Sequence, residues 1–95
     1  MARIIPENLR PKLVTVDWID SCGYHGWRSL DAENSEKITE YCRCVSTGTL
    51  LYRDDNVLVV AGSFGLDKDG HIDQVCDVTT IPAVCVTRVK RGLRG

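Results

Sequence analysis

Five cysteines, two histidines and several clustered aspartates are the residues of this chain whose chemistry could reach beyond packing. Cys42 and Cys44 form a C-x-C pair, which on a strand places both thiols on one face. With Cys22, His25, His71, Cys76 or Cys85 they could complete a tetrahedral zinc site. The spacings match no zinc module and there is no C-x-x-C pair, so packing is the expected role of the thiols. Cys22 stands three residues before His25, but a Cys–His nucleophile also needs a third, orienting group. Asp67, Asp69 and Gly70 mimic part of a calcium loop, yet Gly65 and Cys76 fall where its first and last ligands belong. A solvated turn is expected there. Asp17 and Asp20 lie on opposite faces of one strand and cannot share a proton. Nucleophile-elbow, phosphate-loop and dinucleotide motifs are all missing. The expectation is a protein that is not an enzyme and carries no metal or cofactor.

The aromatic and cationic residues are more informative. Trp18, Tyr24, His25 and Trp27 fall within ten residues, and Arg28 follows directly. The two tryptophans are expected as core anchors, since this side chain is mostly buried. Tyr24 and His25 stand between Gly23 and Gly26 and are expected at the surface. There, with Arg28, they could stack a base and hold a phosphate. Arg88 and Lys90 are two apart and share a strand face, with Arg91 and Arg94 beyond them. Tyr24, His25, Arg28, Arg88, Lys90 and Arg91 are therefore the candidate ligand-binding set.

The elements that must position these groups have to fit into 95 residues, enough for one domain. Composition is that of a globular protein, 43% hydrophobic and 26% charged. Charge is segregated: residues 1–12 carry +2, residues 13–87 carry −7 and residues 88–95 carry +4. An acidic body with basic ends argues against duplex DNA as partner, while a small anion or short single strand remains compatible. No run approaches the roughly 18 apolar residues of a membrane span, and residues 1–12 do not read as a signal peptide. The cysteines are accordingly expected to stay reduced, in a cytoplasm.

Prolines at 6 and 11 make residues 1–12 an extended arm. Val14, Val16 and Trp18 alternate with Thr15, Asp17 and Ile19 as on a strand. Residues 21–26 break that pattern with two glycines, and Ser29 is expected to cap one or two helical turns from Leu30. Strands follow over 45–53 and 57–64, joined by a tight hairpin at Asp54–Asn56. A last strand is expected over 78–89, broken at Pro82. Short strands with little helix point to a small, strongly bent antiparallel β-barrel over 13–89, with 90–95 as a basic tail.

The runs V-T-V-D-W-I-D (14–20), G-W (26–27), S-x-G-x-L-L-Y (46–52), V-V-A-G-S (59–63) and T-T-I-P-A-V-C-V (79–86) resemble small, uncharacterised phage and prophage proteins. The closing strands resemble Sm-like and Src-homology-3-like barrels. The resemblance implies a cytoplasmic accessory protein of a bacterial host, with sequestration of a ligand against host defence as one role. Combined with the residues, the expected function is oligomeric binding of a nucleotide signal or short RNA. Alternatives are an adaptor or inhibitor of a host protein and, more weakly, a cysteine-based metal protein. Residues 57–64 are apolar on both faces, so residues 29–41 or a second subunit should cover one of them.

Overall fold

Burial of every second residue organises the first strand: Val14 and Val16 are buried, and Trp18, on the same face, packs against the same cluster. In the computed structural model, which describes residues 3–92, this strand is β1 (Leu13–Asp20). It is followed by α1 (Ala32–Ile38), β2 (Cys42–Arg53), β3 (Val57–Leu66), β4 (Ile72–Pro82) and β5 (Val86–Arg91). Among the described residues these strands form one antiparallel sheet in the order β4-β3-β2-β1-β5.

The sheet is mainly β with one short helix, as expected, but it is open rather than closed into a barrel: β4 and β5 are its two edges. It is nevertheless strongly bent. Neighbouring strands stand about 4.8 Å apart, so a flat sheet would hold β4 and β1 roughly 14 Å from one another. Instead, Ile81 of β4 joins Val14 and Val16 of β1 in one buried cluster with Leu58 and Val60 of β3. Val86 and Val89 of β5 pack against that cluster. A 3-10 turn, Ala83–Cys85, carries the chain from one edge to the other after Pro82. Bending is helped by Gly48, where a Cβ would collide with the Ala61 carbonyl of the neighbouring strand.

Residues 29–41, one of the two expected covers, do not lie on the second face. The N-terminal arm lies on it: the Lys12 N–H donates to the buried Thr49 hydroxyl (2.9 Å), and Leu50 N–H donates to the Lys12 carbonyl (2.9 Å). Leu51, buried at a bulge in β2, borders a groove of about 310 Å³ with Ile5, Pro6 and Leu9. Ile72 N–H at the start of β4 donates to the Leu9 carbonyl (2.7 Å). Contrary to the expectation from its prolines, the arm is not extended throughout. It bends at Ile5 and at Glu7–Asn8, where Asn8 is left-handed (φ 59°), and its free carbonyls meet the strand N–H groups from that bent path.

Other boundaries differ from the expectation for local reasons. Asp31, not Ser29, caps α1, its carboxylate accepting the Asn34 N–H (2.8 Å). β2 begins at Cys42 rather than Val45, because its first residues pair with the far end of β1, Asp20 opposite Cys42. The expected last strand is two strands, β4 starting earlier, at Ile72. Lys90 and Arg91, placed in a tail by the sequence, belong to β5 and pair with Thr15 and Val14. Arg94 lies outside the described residues.

Candidate functional site

β1 and β2 are joined by residues 21–41, an excursion in which every residue is exposed except the half-buried Asn34. The described chain is accordingly long, 60 × 35 × 23 Å, with a radius of gyration of 17.5 Å where about 12 Å is usual for this length. Local ties hold the excursion. Cys22 and Cys42 form a disulfide at its root, with Cα atoms 6.1 Å apart. The Tyr24 hydroxyl donates to the Lys37 carbonyl at the end of α1 (2.9 Å), and the Arg28 guanidinium sits 4.8 Å from the Tyr24 ring centre.

The disulfide corrects the expectation that all five cysteines are reduced and removes Cys42 from any zinc set. Cys44, Cys76 and Cys85 are free. Trp27 is corrected as well. It is not a core anchor but fully exposed, at 103% of its reference area, because the excursion has no second layer to bury it. Trp18 does anchor: it packs on the core, and its indole N–H donates to the Ser46 hydroxyl (3.0 Å).

The candidate ligand set divides in two. Tyr24, His25 and Arg28 are on the excursion, and Arg88, Lys90 and Arg91 are on β5. Arg88 pairs with Asp17 and Lys90 with Thr15, so both side chains rise from the sheet face opposite the Val16–Val89 pair. Arg91 pairs with Val14, on the other side of the strand from Lys90. Measured along β1 from Asp20, Arg88 is roughly 10 Å and Arg91 roughly 20 Å from the excursion's root. β5 is fixed by the Thr87 hydroxyl donating to the Asp17 carbonyl and by the Thr15 hydroxyl donating to Gly92 (both 3.0 Å).

At the root of the excursion, on the same face as Arg88, is a hollow of about 470 Å³ bordered by Asp17, Ile19, Tyr41, Arg43, Val45 and Thr87, and lined by none of the six candidate residues. Its size is within the range of small-molecule sites, roughly 300–1,000 Å³. Tyr41 and Arg43 are the residues that sequence reasoning missed. Arg43 alternates with Cys44 exactly as Val45 does with Ser46, and reading β2 back to Cys42 would have placed it on this face. Among the described residues Arg43, Arg88 and Lys90 make no ion pair.

The acidic turn at 67–71 brings donor atoms of Asp67, Asp69 and His71 within 4.8 Å of one another. Its Asp67 carboxylate already accepts the N–H groups of Asp69 (2.8 Å) and His71 (3.0 Å). The bond from His71 leads in holding that carboxyl below the usual range, and Arg10 leans toward Gly70 beside it. These contacts build a hairpin turn, with Gly70 in the left-handed conformation that closes it. No helix among the described residues is long and apolar enough to cross a membrane. Comparison with known proteins finds no matching family model, no matching curated sequence and no matching solved structure.

Proposed function

We propose that this chain is a non-enzymatic, oligomeric binding protein for a phosphate-bearing ligand, either a nucleotide or a short single-stranded RNA. The observation that carries the reading is the outer face of β5, β1 and β2. There Arg43, Arg88 and Lys90, without ion-pair partners among the described residues, stand beside a hollow that also has an aromatic wall, Tyr41. Guanidinium and ammonium groups hold phosphate oxygens by charge-assisted hydrogen bonds, and aromatic rings accept bases by stacking. Tyr24, His25 and Arg28 are the second half of the site, and Arg91 extends the charge at the end of β5. The acidic remainder of the surface repels a long polyanion, which favours a small ligand over duplex DNA. Packing of both sheet edges onto one core supports a barrel-like reading of the fold. A sequestering role in phage–host conflict rests on the resemblance of the sequence motifs; the exposed Cys22–Cys42 disulfide fits an oxidising compartment better than the bacterial cytoplasm that the resemblance implies.

Calorimetric titration of nucleoside diphosphates and short oligoribonucleotides tests this. Arg88→Ala with Lys90→Ala should weaken binding tenfold or more and flatten its salt dependence. Tyr24→Ala with His25→Ala should cost about 1–3 kcal/mol of stacking. Equal binding by wild type and the Arg88/Lys90 variant, or no binding at all, would end the phosphate reading. One observation favours a second reading as adaptor or inhibitor of a host protein: Trp27 and Leu30 are presented bare, at 103% and 81% exposure.

A further inference from the structure

We propose that two copies of this chain pair about a two-fold axis through their excursions, the Trp27 tip of each entering the hollow at the root of the other. Four features lead there. The excursion carries two bare apolar residues, Trp27 and Leu30, and none of the described residues buries them. The hollow at its root has apolar and aromatic walls, Ile19, Val45 and Tyr41. Charge is complementary: Asp31, Glu33, Glu36 and Glu40 outnumber Arg28 and Lys37 on the excursion, whereas Arg43, Arg88 and Lys90 outnumber Asp17 at the root. Finally, an antiparallel pair of fingers sets tip against root twice over, as a two-fold contact requires, each copy supplying both halves.

Self-association through the edge of β4 is less favourable. Asp77 interrupts that edge with a left-handed residue (φ 57°), and Leu9 already occupies the Ile72 N–H. The excursion is prepared for docking: its disulfide, the Tyr24–Lys37 hydrogen bond and the capped helix fix it before contact, which lowers the ordering cost. The partner's Trp27 takes the space beside Tyr41 that the phosphate-binding reading gives to a ligand, so on that reading dimerisation and ligand compete for the hollow. That consequence rests on the phosphate-binding reading; the interface does not.

Light scattering and sedimentation across a concentration series, without ligand, read the interface. Wild type should dimerise, and Trp27→Ala should raise the dissociation constant at least tenfold with an unchanged melting curve, because the side chain is fully exposed in the single chain. Arg43→Glu with Arg88→Glu should do the same. Mixing the two variants leaves one intact tip-in-hollow contact in each heterodimer, so the mixture should associate more tightly than either variant alone. A strict monomer at concentrations on the order of 100 μM overturns the proposal. So does a Trp27→Ala protein that dimerises like wild type, or a mixture no tighter than its components. If the dimer behaves as stated and nucleoside diphosphate binds neither wild type nor the monomeric Trp27→Ala protein, whose hollow is open, the interface stands and the phosphate reading falls.

Discussion

Val16 in the sheet is completely buried, and Trp27, a short distance further along the chain, is completely exposed. The two residues belong to regions built on different principles. In the sheet, one face of five strands shares a single apolar cluster, so each buried side chain depends on partners far away in sequence. In the excursion there is no buried residue, and order comes from a covalent bridge, a capped helix and one tyrosine hydroxyl. Area removed from water is what makes a domain cooperative, whereas individual exposed hydrogen bonds contribute little. The sheet should therefore open as one unit and the excursion as another, at lower free energy. A region freed from core duty can carry an apolar tip that would otherwise be consumed by packing.

The largest effect that could break this comparison comes from the core. Ile81 is fully buried at the point where β4 meets the cluster of β1 and β3. Ile81→Ala should cost about 2–5 kcal/mol, a large share of the stability of so small a domain. Urea titration should show the midpoint falling with a single transition for all sheet signals. If Ile81→Ala lowered the amide protection of the excursion as much as that of the sheet, core and excursion would be one cooperative unit and not two.

Reduction sharpens the comparison from the other side. The Cys22–Cys42 bridge closes a loop with a sequence separation of 20, and chain entropy assigns such a closure about 3 kcal/mol. Both cysteines are exposed, so a thiol reductant reaches them. Under reducing conditions, or in Cys22→Ser, amide exchange should quicken throughout residues 21–41 and change little in β2 and β3. Equal loss of protection in both regions would mean that the bridge stabilises the sheet itself.

The same contrast explains what could be read in the sequence. Alternation gave β1 correctly at Val14, Val16 and Trp18, because one face is buried and a slip of one residue would expose it. The hairpin at Asp54–Asn56 was legible because its turn chemistry is local. The arm's cover over Thr49 and Leu51 was not, since it depends on which extended segment reaches a distant strand. Trp27 was misread for a related reason: burial was inferred from residue type, and residue type is informative only where a second layer exists. On β5 the shared face of Arg88 and Lys90 followed from spacing alone, whereas Tyr41 and Arg43 required the register of β1 with β2.

The smallest predicted effect is at the β2–β3 hairpin and concerns pH. The Asp54 carboxylate accepts the N–H groups of Asn56 (2.7 Å) and Val57 (2.9 Å) and the hydroxyl of Tyr52 (2.8 Å). The hydrogen bond from Val57 leads in lowering the Asp54 pKa, followed by those from Tyr52 and Asn56. The same Tyr52–Asp54 bond leads in raising the Tyr52 pKa. A carboxyl with a lowered folded-state pKa stabilises the fold above its unfolded value, near 4, and loses that contribution as pH falls through the folded value. A phenol with a raised folded-state pKa stabilises the fold below about 10 and loses its contribution as pH rises beyond that. The hairpin should thus be tightest between about pH 4 and pH 10. Both groups are solvent-exposed, so the effect is a modest shift of melting temperature. Asp54→Asn keeps the shape but removes the charge. Melting curves recorded in pairs should show wild type above the variant at pH 7, with the gap closing as the pH drops below about 4. A gap that stays open in acid would mean that the shape of the turn, and not the carboxylate's charge, holds β2 to β3.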